Sequence, residues 1–183
     1  MTSSPYLIER FLDAATCRRI RDLMDRGAIE PAEILEDTIA LDEEVRRATS
    51  IEVDPAVVAA IEQRLDRTRE EVERFFGLTL TSREGANFLR YGAGGFYLPH
   101  VDRAATDSWP DAARRQIALV VFLNSSLPAP GPGQFSGGEL CLIDARVDVT
   151  PREGMLVAFD AGMLHEVAPV GQGTRDVIVD WFY

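Results

Sequence analysis

The chain has 183 residues, of which 46% are hydrophobic and 27% are charged, and its formal net charge is −11. This length suits a single domain, 1–183, and a net negative charge with only 19 basic residues, all arginines, argues against a general nucleic-acid surface. No apolar run is long enough to cross a bilayer and no secretory signal precedes the first predicted helix, so we expect no membrane partner and a cytoplasmic protein.

The first part of the chain, about 1–80, is predicted to be helical. Asp13 is a suitable N-cap for a helix that ends at Gly27. A longer helix is predicted to begin after Asp54, where a proline occupies the first turn, and to end at Gly77. The apolar residues expected on the inner faces of these two helices are Cys17, Ile20, Met24, Ile61, Leu65, Val72 and Phe76.

The remainder, about 81–183, is predicted to form strands separated by turns rich in glycine and proline. The predicted strands are 87–91, 117–123, 140–143, 155–159 and 175–183. The second of these is continuously apolar, as in a strand that is covered on both faces. The pattern indicates an α+β protein that is mainly β, namely a β-sandwich or barrel with helices packed outside it. Long loops at 103–114 and 125–138 are suited to determining specificity.

The only two histidines, His100 and His165, lie where a mononuclear metal site would need them. His100 and Asp102 are two residues apart, so in an extended segment their side chains point to the same side. His165 begins another strand-like segment and could supply a third ligand. Two imidazoles and one carboxylate are the ligand set of non-haem Fe(II) oxygenases, which leaves coordination positions open. We therefore predict that these three residues bind iron and form the catalytic centre.

Two alternatives to this iron site remain open from the sequence. The histidines could be ordinary hydrogen-bonded side chains, because a single His-x-Asp pattern occurs by chance. The same three residues could also bind zinc, although structural zinc sites usually have four protein ligands and no fourth is evident.

Arg175 is predicted to point inward from the last strand. Alternate positions place it on one face with Val177, Val179 and Trp181, whereas Asp176 and Asp180 fall on the other. The list of inward residues contains no acid, and a buried guanidinium is costly unless it is paired. A bound carboxylate would provide that partner in a bidentate arrangement. The alternative is an internal acidic residue from elsewhere in the chain.

Several motifs in chain order resemble those of the 2-oxoglutarate- and Fe(II)-dependent oxygenases, and in particular their prolyl 4-hydroxylase-like branch. The motifs are Tyr91-x-x-Gly94-x-x-Tyr97-x-x-His100-x-Asp102, Phe122-Leu123-Asn124, Gly137-Gly138-Glu139-Leu140, Leu164-His165-Glu166-Val167, Pro169-Val170 and Gly173-Thr174-Arg175. The resemblance extends from about residue 87 to about residue 181.

The resemblance implies a double-stranded β-helix, or jelly roll, with N-terminal supporting helices. It implies that His100, Asp102 and His165 bind iron, and that Arg175 binds the distal carboxylate of 2-oxoglutarate. It also implies a second hydrogen bond to this co-substrate from Tyr91, which could instead be an ordinary core tyrosine. One departure is Phe122, because several relatives have a tyrosine at this position whose hydroxyl helps to bind 2-oxoglutarate.

The implied function is a dioxygenase that uses Fe(II), 2-oxoglutarate and O2, with ascorbate as a further candidate reductant, to hydroxylate an unactivated C–H bond. The branch favours a prolyl residue of a peptide or protein as substrate. A free amino acid or another small molecule is an alternative substrate, and a non-catalytic sensor that binds 2-oxoglutarate and a metal is an alternative function. The sequence leaves the oligomeric state open.

Overall fold

A computed structural model of the chain describes residues 4–32, 34–35, 39–40, 43–104 and 110–183. Residues 105–109 of the predicted loop 103–114 therefore lie outside the described part. The helices are α1 (Ala14–Met24), α2 (Pro55–Asp66), α3 (Arg69–Phe76) and α4 (Pro110–Arg114). None of the helices in the described ranges is both long enough and apolar enough to span a lipid bilayer.

The predicted starts of the first two long helices are confirmed. The Asp13 carboxylate accepts a hydrogen bond of 2.7 Å from the backbone N–H of Thr16, at the start of α1. The Asp54 carboxylate accepts one of 2.8 Å from the backbone N–H of Ala56, at the start of α2. Such side-chain oxygens satisfy N–H groups that have no partner within the helix. The predicted apolar residues of both helices are buried.

The prediction of one continuous helix from Asp54 to Gly77 is wrong, because α2 and α3 are separate. The chain turns at Thr68, whose hydroxyl donates a 2.7 Å hydrogen bond to the Leu65 carbonyl. The backbone N–H of Thr68 also donates to that carbonyl, at 2.9 Å. These local bonds replace those of a continuing helix. Gly77 ends α3 with a φ of 68°, which is the left-handed backbone conformation that commonly follows the last turn of a helix.

The described residues form fifteen strands, which include all five that were predicted. They are β1 (Tyr6–Ile8), β2 (Ile29–Pro31), β3 (Ile34–Leu35), β4 (Ile39–Ala40), β5 (Thr49–Ile51), β6 (Asn87–Tyr91), β7 (Tyr97–His100), β8 (Ile117–Phe122), β9 (Ser136–Gly137), β10 (Leu140–Leu142), β11 (Val147–Val149), β12 (Leu156–Asp160), β13 (His165–Val167), β14 (Val170–Gln172) and β15 (Arg175–Phe182). The short strands β1 to β5 were not expected, because the part of the chain over about 1–80 was predicted to be helical, and three of them join the larger sheet.

Two antiparallel sheets make up most of the β-structure. The larger sheet has the strand order β1-β12-β8-β15-β6-β5-β2, and the smaller has the order β11-β10-β13-β7. One apolar cluster lies between the two sheets and includes Leu89 and Val177 from the larger sheet and Leu140 and Val167 from the smaller. Two facing sheets around such a core form the jelly roll that the resemblance implies.

A second apolar cluster lies on the other face of the larger sheet, where the helices pack. It combines Ile20 of α1 and Leu65 of α2 with Leu119, Val121 and Ile178 of the central strands. All six residues of β8 are buried, which confirms that this strand is covered on both faces. The helices thus support the larger sheet from outside, and the inner face of that sheet remains available for a site.

Candidate active site

The two histidines face each other across neighbouring strands of the smaller sheet. His165 at the start of β13 is paired with His100 at the end of β7. Asp102 follows β7, and its backbone N–H donates a 2.9 Å hydrogen bond to the Ala161 carbonyl. One potential ligand atom from each of the three predicted residues lies within 4.8 Å of the other two. Strand register therefore assembles a three-residue group from two distant parts of the chain.

Backbone carbonyls determine which ring nitrogen of each histidine faces the group. Nδ1 of His100 lies 2.8 Å from the Leu98 carbonyl oxygen, and Nδ1 of His165 lies 2.9 Å from the Met163 carbonyl oxygen. A carbonyl can only accept, so each Nδ1 carries a proton, and in a neutral imidazole Nε2 is then the nitrogen with the free lone pair. The two Nε2 atoms lie 3.6 and 3.7 Å from oxygens of Asp102. The contacts between each Nδ1 and a backbone carbonyl are of the kind that typically orients metal-binding histidines.

The electrostatic environment of His100 and Asp102 favours the protonation states in which these two residues bind metals. Burial, followed by the influence of His165, lowers the pKa of His100 to about 4, so its imidazole is neutral at neutral pH. Burial alone would raise the pKa of Asp102, but the two histidines and Trp181 lower it further than burial raises it. Its net pKa is below the ordinary value, and the carboxylate is ionised. Neutral imidazole and ionised carboxylate are the ligand forms that a divalent cation requires.

Asp102 also contacts two residues that the sequence analysis did not assign to the site. The indole Nε1 of Trp181 donates a 2.9 Å hydrogen bond to Oδ2 of Asp102. The Arg115 guanidinium donates a 3.1 Å hydrogen bond to the backbone carbonyl of Asp102 and lies 3.8 Å from the Trp181 ring. The inward position of Trp181 on the last strand was predicted, but its partner was not.

Arg175 lies at the start of β15 and is only 1% exposed. Its Nε donates a 2.9 Å hydrogen bond to the Gly138 carbonyl, and its guanidinium lies 5.0 Å from the Tyr91 ring and 5.1 Å from the Phe122 ring. Within the described residues, no carboxylate lies within ion-pair distance of this guanidinium. Burial accordingly lowers the pKa of Arg175 from 12.5 to about 10.

Two consecutive glycines make room for this arginine. Gly137 and Gly138 have φ angles of 70° and 66°, which favour glycine. A Cβ atom on Gly138 would lie 3.0 Å from Cδ of Arg175, and one on Gly137 would lie 2.4 Å from the Pro169 carbonyl oxygen. The Gly-Gly motif therefore brings the carbonyl of Gly138 against the guanidinium.

Tyr91 is the strand partner of Arg175, opposite it on β6, and is 2% exposed. The Arg46 guanidinium lies 4.7 Å from the Tyr97 ring, and Arg46 lines the same cavity as Tyr91. Tyr97 in turn stacks on His100, with ring centroids 3.5 Å apart. Arg46 was not predicted as a site residue, because nothing in the N-terminal part of the sequence indicates that it approaches the histidines.

These residues line one cavity of about 360 Å³ between the two sheets. The lining includes Arg46, Tyr91, Tyr97, His100, Asp102, Arg115, His165, Arg175 and Trp181. Two imidazoles and one carboxylate fit a mononuclear iron site, since the cavity beside them leaves space for further ligands. Among the described residues this group has three protein ligands, whereas a closed structural zinc site would have four.

The chain is similar to known proteins over much of its length. A model of the 2OG-Fe(II) oxygenase superfamily matches residues 86–183. A PKHD-type hydroxylase from Parvibaculum lavamentivorans is 31% identical over 133 residues, which cover 70% of this chain and 56% of that protein. One from Maricaulis maris is 30% identical over 94 residues, which cover 50% of this chain and 38% of that protein. The chain thus spans only 38% to 56% of the length of these two relatives.

Solved structures support the fold over nearly the whole chain. The crystal structure of a Pseudomonas putida prolyl-4-hydroxylase has a TM-score of 0.74 and 27% identity, and the match covers 97% of this chain and 91% of that one. A Trichoplax adhaerens prolyl hydroxylase, solved with a hypoxia inducible factor peptide fragment, has a TM-score of 0.74 and 18% identity over 100% of this chain and 84% of that one. These likenesses confirm the expected jelly-roll fold.

Proposed function

We propose, from the premise that the chain belongs to the 2OG-Fe(II) oxygenase superfamily, that it is an Fe(II)- and 2-oxoglutarate-dependent dioxygenase that hydroxylates an unactivated C–H bond. One observation carries this proposal. Three potential metal ligands line the same cavity as a buried guanidinium that has no carboxylate partner among the described residues. A bound metal ion would be held by the three ligands, and a bound anionic ligand would pair with the guanidinium.

Each predicted residue has a defined part in this proposal. His100, Asp102 and His165 would hold Fe(II) through two Nε2 atoms and a carboxylate oxygen. Arg175 would bind the distal carboxylate of 2-oxoglutarate, and the Tyr91 hydroxyl would donate a second hydrogen bond to it. Phe122 can contribute only apolar contact and its ring face, so the carboxylate would depend on Arg175 and Tyr91.

When bound, Fe(II) and 2-oxoglutarate supply the activation of O2, with succinate and CO2 as co-products and one oxygen atom passing to the substrate. The residues of the chain provide orientation and exclude water. Arg175 would hold the distal carboxylate of the co-substrate in the cavity that the two histidines also line. Leu140, Val167 and Val177 line the cavity with apolar surface, which protects a reactive centre from solvent.

The proposed substrate is a prolyl residue of a peptide or protein. Support comes from the likeness to the Pseudomonas putida prolyl-4-hydroxylase and to the Trichoplax adhaerens prolyl hydroxylase with its bound peptide fragment. A free amino acid or another small molecule remains the alternative substrate, because proteins that share a fold often act on different molecules.

The test is an assay of coupled turnover. The purified protein is incubated with Fe(II), 2-oxoglutarate, O2 and ascorbate, together with proline-containing peptides or free amino acids, and succinate and product masses are measured. We expect succinate formation that depends on 2-oxoglutarate and is matched by substrate that has gained one oxygen atom. His165→Ala and Arg175→Met should lose both, whereas Arg152→Met, which alters an exposed arginine elsewhere, should retain both. Failure to bind 2-oxoglutarate would refute the proposal, and binding without turnover of any substrate would favour a sensor.

A further inference from the structure

The two carboxylate oxygens of Asp102 have different surroundings. Oδ2 accepts the 2.9 Å hydrogen bond from the indole Nε1 of Trp181 and lies 3.7 Å from Nε2 of His165. Oδ1 lies 3.6 Å from Nε2 of His100. Over the described ranges, no hydrogen-bond donor other than Trp181 reaches either oxygen. One oxygen is therefore held by a fixed donor, and the other has its lone pairs available.

The indole ring of Trp181 is itself held in place by neighbouring side chains. The Arg115 guanidinium stacks on it at 3.8 Å, and Glu84 binds that guanidinium through both carboxylate oxygens, at 2.5 and 2.6 Å. The backbone N–H of Glu84 donates a 3.0 Å hydrogen bond to the Trp181 carbonyl. Arg115 is 8% exposed, so this arrangement is shielded from solvent. Side chains packed in this way give the indole N–H a single direction.

We propose that Trp181 is a positioning residue that makes Asp102 bind the metal through one carboxylate oxygen only. A carboxylate can offer one oxygen or both to a cation. Binding through both would occupy a position that an open oxygenase site needs for its other ligands. By donating to Oδ2, the indole N–H competes for its lone pairs and leaves Oδ1 as the metal-binding oxygen. This inference rests on the metal site of the proposed function and adds a residue that determines its coordination number.

The test uses Co(II) as a probe, because its visible absorption depends on coordination number and becomes weaker as that number rises. Trp181→Phe keeps an aromatic ring against Arg115 but lacks the N–H donor. We expect Co(II) to bind this variant about 10- to 100-fold more weakly than wild type, as for other outer-shell substitutions. We also expect a changed visible spectrum, which a loss of packing alone would not produce.

The matched control is Tyr6→Phe, which also removes an aromatic donor to a carboxylate, that of Glu71 at 2.8 Å, but on the outermost strand β1. Its Co(II) affinity and spectrum should equal those of wild type. If Trp181→Phe also matched wild type in both measurements, the positioning role would be overturned and the metal site would stand. If wild type bound no Co(II) or Fe(II), the proposed function itself would fail.

A second measurement uses only the wild-type protein and therefore does not depend on the folding of a variant. In the wild-type protein, the indole N–H resonance of Trp181 is followed by NMR while Zn(II), a diamagnetic probe, is added. We expect one indole resonance to shift in proportion to bound Zn(II), because its acceptor becomes a metal ligand. If neither indole resonance of the chain moved while Zn(II) bound stoichiometrically, the proposal would be wrong.

Discussion

Replacing Arg175 with methionine should have opposite effects on the ligand-free protein and on co-substrate binding. The decrease in the pKa of Arg175 from 12.5 to about 10 corresponds to ~3 kcal/mol against the charged side chain in the fold. Because the folded pKa is depressed and still lies above neutral pH, this penalty is fully present at pH 7. Methionine removes the penalty and also removes the hydrogen bond to Gly138, a loss of about 1 kcal/mol.

The ligand-free Arg175→Met protein should therefore be as stable as wild type, or more stable by up to about 2 kcal/mol. Binding of 2-oxoglutarate should weaken by about 3–5 kcal/mol, since removing one partner of a buried ion pair leaves the other charge unpaired. That loss corresponds to roughly two to three and a half orders of magnitude in Kd. Urea unfolding without ligand measures the first effect, and calorimetry with Mn(II) and 2-oxoglutarate under nitrogen measures the second.

Arg83→Met is the matched control, because Arg83 is also largely buried but has acidic partners, Asp180 and Asp66. Its removal should lower the free energy of unfolding and leave the affinity for 2-oxoglutarate unchanged. The reasoning about Arg175 would be refuted if Arg175→Met bound 2-oxoglutarate as tightly as wild type. It would also be refuted if that variant were destabilised, without ligand, as much as Arg83→Met.

Three further substitutions test the site and the fold. His165→Ala should abolish stoichiometric Fe(II) or Co(II) binding, as measured by equilibrium dialysis, and a retained full equivalent of metal would contradict its assignment as a ligand. Tyr91→Phe should weaken 2-oxoglutarate binding by about 1.5–3 kcal/mol, the contribution of one hydrogen bond to a charged group, and calorimetry showing no change would mean that Tyr91 is a core residue only. Gly154→Ala should lower the unfolding midpoint in urea, because its Cβ would lie 2.0 Å from the Leu12 carbonyl oxygen at a φ of 79°; an unchanged midpoint would contradict this packing.

The parts of the fold that the sequence predicted depend on local periodicity. The alternation from Arg175 to Trp181 identified the inward face of β15, because the pleat of a strand fixes which residues share a face. The starts of α1 and α2 followed from Asp13 and Asp54, whose capping bonds are formed within three residues. Such signals do not depend on distant parts of the chain.

The missed features depend on distant contacts or on very short segments. Strands β1, β2 and β5 have three residues each, too few to show an alternation, and they exist because neighbouring strands pair with them. The turn at Thr68 could have been suspected from its hydroxyl, which competes for backbone carbonyls.

At the site, the sequence indicated which residues could bind a metal, but not how the fold brings them together. Spacing and resemblance pointed to His100, Asp102 and His165, whereas their proximity follows from the register of β7 and β13. The hydrogen bond from Trp181 to Asp102 joins residues 79 positions apart, and no local pattern encodes it. The roles of these residues, the single domain and the cytoplasmic location stay predictions.

The central position of β15 has a consequence for how this protein can change. A single-residue insertion immediately before Asp180 would reverse Asp180 and every later side chain of that strand, because its repeat is two residues. The Asp180 carboxylate, which now pairs with Arg83, would then point toward the histidines in place of the indole. There it would compete with anionic ligands of the site. Length variation within this strand should therefore abolish activity more readily than substitutions on its surface do.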